Sequence, residues 1–437
     1  MPRSPTAGRS SPRADRATQA VKRPGHVVVV GGGVVGLSCA WFLGRAGAEV
    51  MVLEAGDRVG GGASRGNAGA ICPSLTEPLP APGMIKRALA DMLRPDAALH
   101  VHPRFAPRMS GFLSRFAQAA RHDEYERGLL ALLGLARGVT AAFDDMATAG
   151  IGTHAGRDGY LFAYRDPADA LEEHRHVARV ADLGVCSAPG PIRDGGDLRV
   201  IEPLLSDRVR AGFLLPDERW IDPDRLMDDL GEGVRSVGAE VVTGARVARV
   251  HDLGDEIEIQ TASGLFHGDT AVLAAGAWTG GLCEQLGLRV PLLPGKGYSF
   301  VLRPARMPGR PLFLSDVHVV ATPMGERLRI AGTMEFDGTT DRFNPRRIDT
   351  IVRGVREMLP ALDLAARTEE WVGPRPMTPD GLPLVGRLPA HPRVVIASGH
   401  NMLGITLGPV TGRAVAAIVG DADPGIDLAP FAPERFA

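Results

Sequence analysis

The sequence predicts an α/β fold in which a discontinuous Rossmann-like domain is joined to an α+β domain with a large, mostly antiparallel sheet. The first observation is the apolar run Val27–Val30, which breaks into a glycine turn and is followed by a helical segment and a second apolar run ending at Glu54. The second is Val394–Ala397, which leads into another glycine turn and a closing helix. The third is a set of long predicted strands between residues 298 and 332, which indicate the sheet of another domain.

The opening turn has the spacing of a dinucleotide-binding fingerprint, G-x-G-x-x-G. In such a unit Gly31 makes the tight turn, Gly33 lets the backbone approach a pyrophosphate, and Gly36 lets the helix pack against the strand. The helix N-terminus then presents free N–H groups to the phosphates. Glu54 lies 18 residues after Gly36, where a carboxylate can accept hydrogen bonds from ribose hydroxyls. The alternative is a glycine-rich turn in an ordinary α/β unit.

The composition is that of a globular protein with a large core. The chain has 437 residues, of which 44% are hydrophobic and 23% charged, and its formal net charge is −2. This balance gives no support for nucleic acid as a partner. The four cysteines are far apart in sequence and form no C-x-x-C pair. We therefore expect no metal site, no disulfide framework, and a reducing, cytoplasmic compartment.

The first 25 residues are rich in serine, proline and arginine and carry a single acidic residue, Asp15. They predict a disordered extension. No window holds about 18 uninterrupted apolar residues, so we expect no membrane span. The segment Met84–Leu93 predicts a short basic amphipathic helix, which we interpret as a cover for the sheet of the second domain. The alternative is peripheral contact with the inner face of a membrane.

Helical and β-rich stretches alternate between the two ends of the chain. Gly60–Gly69 predicts a glycine loop that passes a large planar ligand closely, with a flexible linker as the alternative. Residues 84–185 are predicted to be mostly helical. Asp222 is predicted to be the N-cap, and Pro223 the first residue, of a helix that runs to about Val237.

Several strands, one more helix and an irregular loop follow. The predicted strands are Glu240–Val242, Arg246–Val250, Glu256–Thr261, a strand beginning at Ala271, Tyr298–Leu302, Val317–Ala321 and Arg327–Gly332, and the helix is Pro345–Met358. Trp371–Gly386 holds four prolines and three glycines in sixteen residues. This composition predicts a rigid, irregular loop with Arg375 at its centre.

Six motifs follow the opening unit along the chain: S-x-x-N-A-G at 64–69, W-I-D-P at 220–223, V-L-A-A-G-A-W at 272–278, L-P-G-K-G-Y at 293–298, R-P-M-T-P-D-G-L-P-L-V-G at 375–386 and S-G-H-N-M-L-G at 398–404. Together they resemble the D-amino acid oxidase and glycine oxidase family of FAD-dependent flavoproteins, and the pattern is nearest to the bacterial D-amino acid dehydrogenase type. The resemblance covers residues 26 to about 420. It implies an FAD-binding domain and a substrate domain, which we place after an extension at 1–25 as follows: FAD-binding domain, 26–83 with 222–290 and 366–437; substrate domain, 84–221 with 291–365.

The resemblance also implies which residues bind FAD. They are Gly31, Gly33, Val34, Val35, Gly36, Glu54, Ala55, Ala63, Ser64, Asn67, Ala68, Gly69, Ala70, Val247, Gly276, His400, Asn401, Met402, Leu403, Gly404, Ile405 and Thr406. Backbone N–H groups of the last seven would stabilise negative charge on the pyrimidine side of the flavin. Residues 63–69 contain no histidine and residues 371–386 contain no cysteine, so we expect FAD to be bound non-covalently.

Two residues are candidates for contact with the substrate. Arg375 matches the family's arginine that pairs with the substrate carboxylate, a task suited to a planar, bidentate guanidinium. His318, on the predicted strand Val317–Ala321, is our candidate for the roof of the substrate pocket. One departure concerns Met402, because glycine oxidase has a second arginine at that position and this chain does not.

The resemblance implies FAD-dependent oxidation of a small amino acid, which would be a D-amino acid, glycine-like, or a cyclic secondary amine. A hydride would pass from the substrate Cα to flavin N5, and the resulting imino acid would hydrolyse to a keto acid. O2 or a quinone would then reoxidise the flavin, and the sequence leaves this choice open. Two alternatives also remain open: a flavin-dependent 2-hydroxy acid dehydrogenase, and a non-catalytic flavin redox sensor or subunit.

Overall fold

The computed structural model of the protein describes residues 25–83 and 97–436. The helix predicted at Met84–Leu93, and all of the predicted extension except Gly25, therefore lie outside the described residues. The α-helices in the described part are α1 (Val34–Arg45), α2 (Ser110–Ala119), α3 (His122–Ala136), α4 (Val139–Thr148), α5 (Pro167–Asp182), α6 (Gly195–Ile201), α7 (Pro223–Ser236), α8 (Thr279–Gln285), α9 (Pro345–Met358) and α10 (Gly404–Val419). In this part of the chain, none of them has the length and apolarity to cross a membrane.

The strands of the described residues form two large sheets and two small ones. They are β1 (His26–Val30), β2 (Glu49–Leu53), β3 (Ala70–Ile71), β4 (Leu99–Val101), β5 (Tyr160–Tyr164), β6 (Arg193–Asp194), β7 (Ala211–Leu215), β8 (Arg219–Trp220), β9 (Glu240–Val242), β10 (Val247–Asp252), β11 (Ile257–Thr261), β12 (Gly264–Gly268), β13 (Thr270–Leu273), β14 (Leu293–Leu302), β15 (Leu312–Leu314), β16 (Val319–Met324), β17 (Arg327–Phe336), β18 (Thr368–Met377), β19 (Leu384–Leu388) and β20 (His391–Ser398).

The first large sheet confirms the predicted Rossmann-like fold. Its strand order is β19-β20-β13-β1-β2-β9, with parallel pairing throughout except between β19 and β20. Val27 and Val29 belong to the core that also contains α1 and α10, whereas Val28 and Val30 belong to the core on the opposite face. Both faces of β1 are thus buried, which explains its continuous apolar sequence. On the helical face, α10 approaches α1 so closely that a Cβ on Gly412 would overlap the backbone of Ser38.

The second large sheet confirms the predicted, mostly antiparallel sheet. Its order is β18-β14-β17-β16-β15-β5-β7-β6, and β4 pairs with β17 outside this path. Among the described strand pairs of this second sheet, only β15–β5 and β17–β4 are parallel. Helix α9 covers one face, where its apolar residues pack against Tyr298 and Phe300 of β14. The two small sheets are β10-β11-β12 and β3-β8.

Strand β18 corrects the predicted irregular loop. The first seven residues of the predicted loop, 371–377, pair with β14 instead of forming a loop, although Pro374 and Pro376 lie among them. A proline is tolerated there because β18 is the edge strand, where one side of the ladder needs no N–H donor. The prediction assigned this stretch to the FAD-binding domain, whereas the strand belongs to the second large sheet. The remaining domain boundaries stay predictions.

A second correction concerns His318. Strand β16 begins at Val319, and His318 lies before it as an exposed residue with left-handed backbone (φ 49°). The mostly apolar run correctly indicated a strand here, but a short 3-10 helix at Ser315–Val317 delays its start.

The W-I-D-P motif is explained by the start of α7, as predicted. Pro223 is the first helical residue, and one oxygen of Asp222 accepts a hydrogen bond from the N–H of Asp224 at 3.0 Å. Its other oxygen pairs with Arg327 of β17 at 2.7 Å. Asp222 therefore caps α7 and attaches it to the second large sheet.

Asp222→Ala should destabilise the protein more than an ordinary loss of a helix cap. We expect the free energy of unfolding to fall by about 1 kcal/mol for the cap, and by about 1–3 kcal/mol more because Arg327 loses a charged partner. Asp166→Ala is the matched control, since Asp166 also precedes a proline and accepts from the N–H of Ala168 at 2.8 Å, but forms no ion pair with a described residue. Urea unfolding followed by circular dichroism measures both losses, and equal losses would contradict a role for the ion pair.

Candidate active site

The glycine turn after β1 is tightly closed at two positions and open at the third. Gly31 has φ 110° and a Cβ there would overlap the backbone of Ala274, while a Cβ on Gly36 would overlap the carbonyl oxygen of Gly31. A Cβ on Gly33 would meet only the Ser64 hydroxyl, at 3.4 Å. This is the arrangement that a closely approaching phosphate requires.

Helix α1 presents free backbone donors at its N-terminus. Its N-cap, Gly33, has no capping side chain, and the N–H of Val34 donates to the Ser64 hydroxyl at 3.0 Å. The N–H groups of Val35 and Gly36 have no acceptor among the described residues. Two free donors and the positive end of the helix dipole therefore lie at the open side of the turn.

Glu54, the predicted ribose ligand, also holds the turn in place. One of its oxygens accepts from the N–H of Gly32 and the other from the N–H of Gly56, both at 2.7 Å. Each carboxylate oxygen has a further lone pair with which it can accept a hydrogen bond from a ribose hydroxyl.

The second glycine loop, which is the segment Gly60–Gly69, is held by two buried arginines. Arg329 of β17 donates to the carbonyl oxygens of Arg65 and Asn67 and pairs with Asp224 at 2.7 Å. Arg65 in turn donates to the carbonyl of Asp224 at 3.0 Å and pairs with Asp228 at 2.6 Å. These contacts connect the loop with the second large sheet and with the start of α7.

Neighbouring strands hold the same loop through its carbonyl oxygens. Thr322 of β16 donates to the carbonyl of Ala68 at 2.7 Å, and Ser299 of β14 donates to that of Gly66 at 3.2 Å. The Trp371 ring occupies the space that a Cβ on Gly66 would need. The N–H groups of Ala63 and Ala68 have no described acceptor, so the loop keeps free donors for a ligand.

The turn before α10 brings a second uncapped helix next to the first. The N-cap of α10, Leu403, provides no side-chain cap, and the N–H groups of Ile405 and Thr406 have no acceptor among the described residues. A Cβ on Gly404 would lie 3.8 Å from Val34, so the N-termini of α10 and α1 are neighbours. Two positive helix ends side by side favour a ligand with negative charge.

His400 and Asn401 in this turn are buried and serve different purposes. Asn401 donates to the carbonyl of Gly381 at 2.9 Å and accepts from the N–H of Thr378 at 2.9 Å, so its side chain holds the turn together. His400 bonds Thr411 through Nε2 at 2.9 Å, and its buried Nδ1 has no described partner. Burial lowers the pKa of His400 to about 3, so the ring is neutral and its free Nδ1 can hydrogen-bond a ligand.

Arg375 lies on β18 with its guanidinium directly over Gly297, where a Cβ would overlap it. Nη1 donates to the carbonyl oxygen of Thr333 at 3.0 Å. No described carboxylate pairs with it, and Nη2 and Nε have no described acceptor. Desolvation lowers the pKa of the guanidinium to about 10, which leaves it charged at neutral pH. A half-buried cation with two free donors is suited to bind an anion.

The structure brings most of the predicted cofactor-binding residues together, around the two helix N-termini and the second glycine loop. Val247 opens β10 and packs in the core cluster that contains Leu53, next to Glu54. Gly276 follows β13, and its carbonyl accepts from Ser398 at 3.1 Å. His318, the candidate for the roof of the substrate pocket, lies before β16 and not on a strand as predicted. Its role at the pocket remains a prediction.

Sequence reasoning missed two residues of this region, Arg329 and Thr333. An arginine between two apolar residues of a strand, here Leu328 and Ile330, is a usable signal, because a buried charge requires partners. Thr333 gives no such signal, since its left-handed backbone (φ 55°) cannot be read from a threonine.

The buried, unpartnered Nδ1 of His400, the free N–H groups and the open side of Gly33 fit a dinucleotide such as FAD. Comparison with known proteins agrees. A family model described as FAD dependent oxidoreductase matches residues 26–418. A D-amino acid dehydrogenase of Methylobacterium radiotolerans is 31% identical over 94% of this chain and 100% of its own length. One of Rhizorhabdus wittichii is 29% identical, with the same coverage of 94% and 100%.

Solved structures show the same fold. Glycine oxidase from Geobacillus kaustophilus superposes with a TM-score of 0.71 at 22% identity, covering 94% of this chain and 98% of that one. L-proline dehydrogenase from P. horikoshii superposes with a TM-score of 0.72 at 18% identity, covering 94% and 97%.

Gly33→Ala should fold normally but bind FAD more weakly. The new methyl group has room beside Ser64 but occupies the open side of the turn. We expect the dissociation constant for FAD to rise about tenfold or more, which corresponds to about 1.4 kcal/mol. Gly134→Ala in α3, where a Cβ meets nothing within 4 Å, is the control. Fluorescence titration of the apoproteins with FAD measures the effect, and unchanged affinity in Gly33→Ala would contradict the assignment of the turn.

Proposed function

The chain belongs to the family of FAD dependent oxidoreductases, and we propose that it oxidises a small amino acid: a D-amino acid, a glycine-like substrate or a cyclic secondary amine. The observation that carries the proposal is Arg375, a cation without a described carboxylate partner on the face of the second large sheet that holds the second glycine loop. The names of the relatives and of the similar structures, which are amino acid dehydrogenases and oxidases, support this substrate class.

FAD would be held by the open glycine turn, Glu54, the second glycine loop and the N-termini of α1 and α10. When bound, FAD supplies the acceptor for a hydride from the substrate Cα. The free N–H groups at the start of α10 add positive potential, which stabilises negative charge at the acceptor. They are fixed by the protein backbone and need no reorganisation during the reaction.

Arg375 would bind the substrate carboxylate through its two free donors and so fix the direction of the Cα–H bond. Orientation of this kind can lower a barrier by up to roughly 7–11 kcal/mol in well-aligned systems. The substrate reacts with its amine deprotonated, because the nitrogen lone pair drives the departure of the hydride. The mechanism therefore needs no protein base. The imino acid product takes up water and gives a keto acid with release of ammonia or an amine, whereas the product of a proline-like substrate persists as a cyclic imine.

The 2-hydroxy acid dehydrogenase alternative is not favoured. Oxidation of an alcohol needs a base that takes the hydroxyl proton, usually histidine. His400 is a poor base, since burial lowers its pKa to about 3, and His318 is an exposed turn residue. A non-catalytic flavin sensor would not need an arginine with free donors at this place.

The electron acceptor is proposed to be a quinone and not O2. The relatives at 29–31% identity are named dehydrogenases, whereas the oxidases among the similar structures are 20–22% identical. A quinone that is dissolved in a membrane would require peripheral contact of the protein with that membrane, and we propose such contact at its inner face. Oxygen consumption faster than reduction of a soluble quinone analogue would contradict it.

The proposed activity predicts which compounds reduce the flavin. We expect anaerobic bleaching by at least one compound in a panel of D- and L-amino acids, glycine, sarcosine and prolines. 2-Hydroxy acids should leave the spectrum unchanged. Bleaching by hydroxy acids alone would support the alternative dehydrogenase, and no bleaching at all would support the sensor.

Arg375→Leu should lower kcat/KM for the best substrate by about 100-fold or more, because the carboxylate loses a charge-assisted, two-donor partner. Arg375→Lys should fall between this variant and wild type, since lysine keeps the charge and loses the fork. Arg367→Leu, which removes an exposed ion pair with Glu370 just before β18, is the control. Steady-state kinetics at pH 8 measure all three, and wild-type kcat/KM in Arg375→Leu would refute the proposed clamp.

A further inference from the structure

Thr333 lies at an irregularity of β17 beside Arg375. Tyr298 pairs with Gly332 and Lys296 with Glu335, so two residues of β17, Thr333 and Met334, face the single residue between them on β14. That residue is Gly297, over which the Arg375 guanidinium lies. The bulge and the guanidinium therefore occupy the same place on the sheet.

The backbone of Thr333 is strained. Its φ of 55° lies in the left-handed region, which a β-branched residue rarely adopts. A glycine would adopt this conformation freely, and the chain has one at the preceding position, Gly332. Strain of this kind persists where the side chain has a use that glycine cannot serve.

The side chain of Thr333 is buried and lacks a partner. The residue is 6% exposed, and its hydroxyl forms no hydrogen bond with any described residue. Buried hydroxyls almost always have a partner, so the isolated Thr333 hydroxyl beside Arg375 is available to a ligand. By contrast, Thr322 on the neighbouring strand donates to the loop carbonyl of Ala68 at 2.7 Å.

We propose that the Thr333 hydroxyl donates a hydrogen bond to the substrate carboxylate held by Arg375, an inference that rests on the proposed amino acid oxidation. The carbonyl oxygen of the same residue accepts a hydrogen bond from Nη1 of Arg375 at 3.0 Å, so the hydroxyl belongs to the residue that the guanidinium contacts. A carboxylate has two oxygens. One accepts from the free donors of Arg375 and the other from Thr333, and the bulge orients both donors.

In this proposal, recognition of the carboxylate depends on two residues of the second large sheet, Arg375 on β18 and Thr333 on β17, with β14 between these strands. The left-handed backbone turns the Thr333 carbonyl toward Nη1, which leaves Nη2 and Nε for the substrate. Thr333 is thus a substrate-binding residue through its hydroxyl and a positioning residue through its carbonyl.

The test uses FAD-loaded protein and benzoate, a carboxylate that lacks an oxidisable amine. Thr333→Val removes the hydroxyl and keeps the branched shape, and Thr333→Ser keeps the hydroxyl. We expect Thr333→Val to weaken benzoate binding by roughly tenfold to hundredfold, as for a hydrogen bond to a charged group. For the best amino acid substrate, the KM of Thr333→Val should rise by a similar factor with a smaller change in kcat. Thr333→Ser should resemble wild type in both measurements. Binding is read from the perturbation of the flavin absorbance, without turnover.

Thr261→Val is the matched control, because this buried hydroxyl donates to the carbonyl of Gly264 within the small three-stranded sheet. The thermal midpoint of each FAD-loaded variant reports on folding. The proposal is overturned if wild type binds no benzoate, if Thr333→Val binds it as wild type does, or if Thr333→Ser is as weak as Thr333→Val. If benzoate binds as expected and no amino acid bleaches the flavin, only the proposed function fails.

Discussion

The contact on which the remaining structure depends is that of Arg329 with the second glycine loop. This arginine is 5% exposed and is the third residue of β17, between the apolar residues Leu328 and Ile330. Burial of a guanidinium is costly unless partners compensate its charge, and here Nη1 bonds two loop carbonyls and Nη2 pairs with Asp224. Because Asp224 belongs to the first turn of α7, one side chain fixes the loop, the second large sheet and α7 relative to one another.

A second connection runs through the strand that carries Arg375. The carbonyl of Pro376 accepts from the N–H of Asn401 at 3.1 Å, so β18 is bonded directly to the turn before α10. Arg375, the proposed carboxylate clamp, and the uncapped helix are therefore held at a fixed separation. The proposed mechanism needs no base and depends mainly on positioning, which a rigid frame of backbone contacts provides.

Local patterns predicted much of this architecture. The helix at Pro345–Met358 and the cap at Asp222 were predicted with their observed starts, because apolar spacing and capping chemistry act within a few residues. Strand β18 was missed because its prolines disfavour a strand, and only its position at the sheet edge, a long-range property, makes them acceptable. The start of β16 was placed too early for a similar reason, since a short 3-10 helix interrupts the apolar run.

The residues of the candidate site also differ in whether a local sequence pattern predicts them. The glycine turn was predicted from its spacing alone, although the backbone that excludes a side chain at Gly31 is that of Ala274, which follows β13. Arg375 was found by family resemblance and not by any local pattern. Arg329 and Thr333 act through strand register, which brings Thr333 opposite Gly297 across β14 and β17. Register depends on the completed sheet, so the sequence pattern does not reveal it.

The discontinuity of the first sheet has a consequence for biosynthesis. The N–H of His26, at the start of β1, bonds Asp269, which lies 243 residues later in the chain, and β20 follows later still. During translation β1 and β2 emerge long before β13 and β20, the strands that complete the parallel sheet. Until then part of their apolar surface is exposed to solvent, and late, non-local pairing of this kind is slow and prone to aggregation. Strand β1 can pair with β2 early, but its second neighbour, β13, ends only at residue 273, and β20 ends at residue 398 of 437. The protein is therefore a candidate client of chaperones that hold nascent chains.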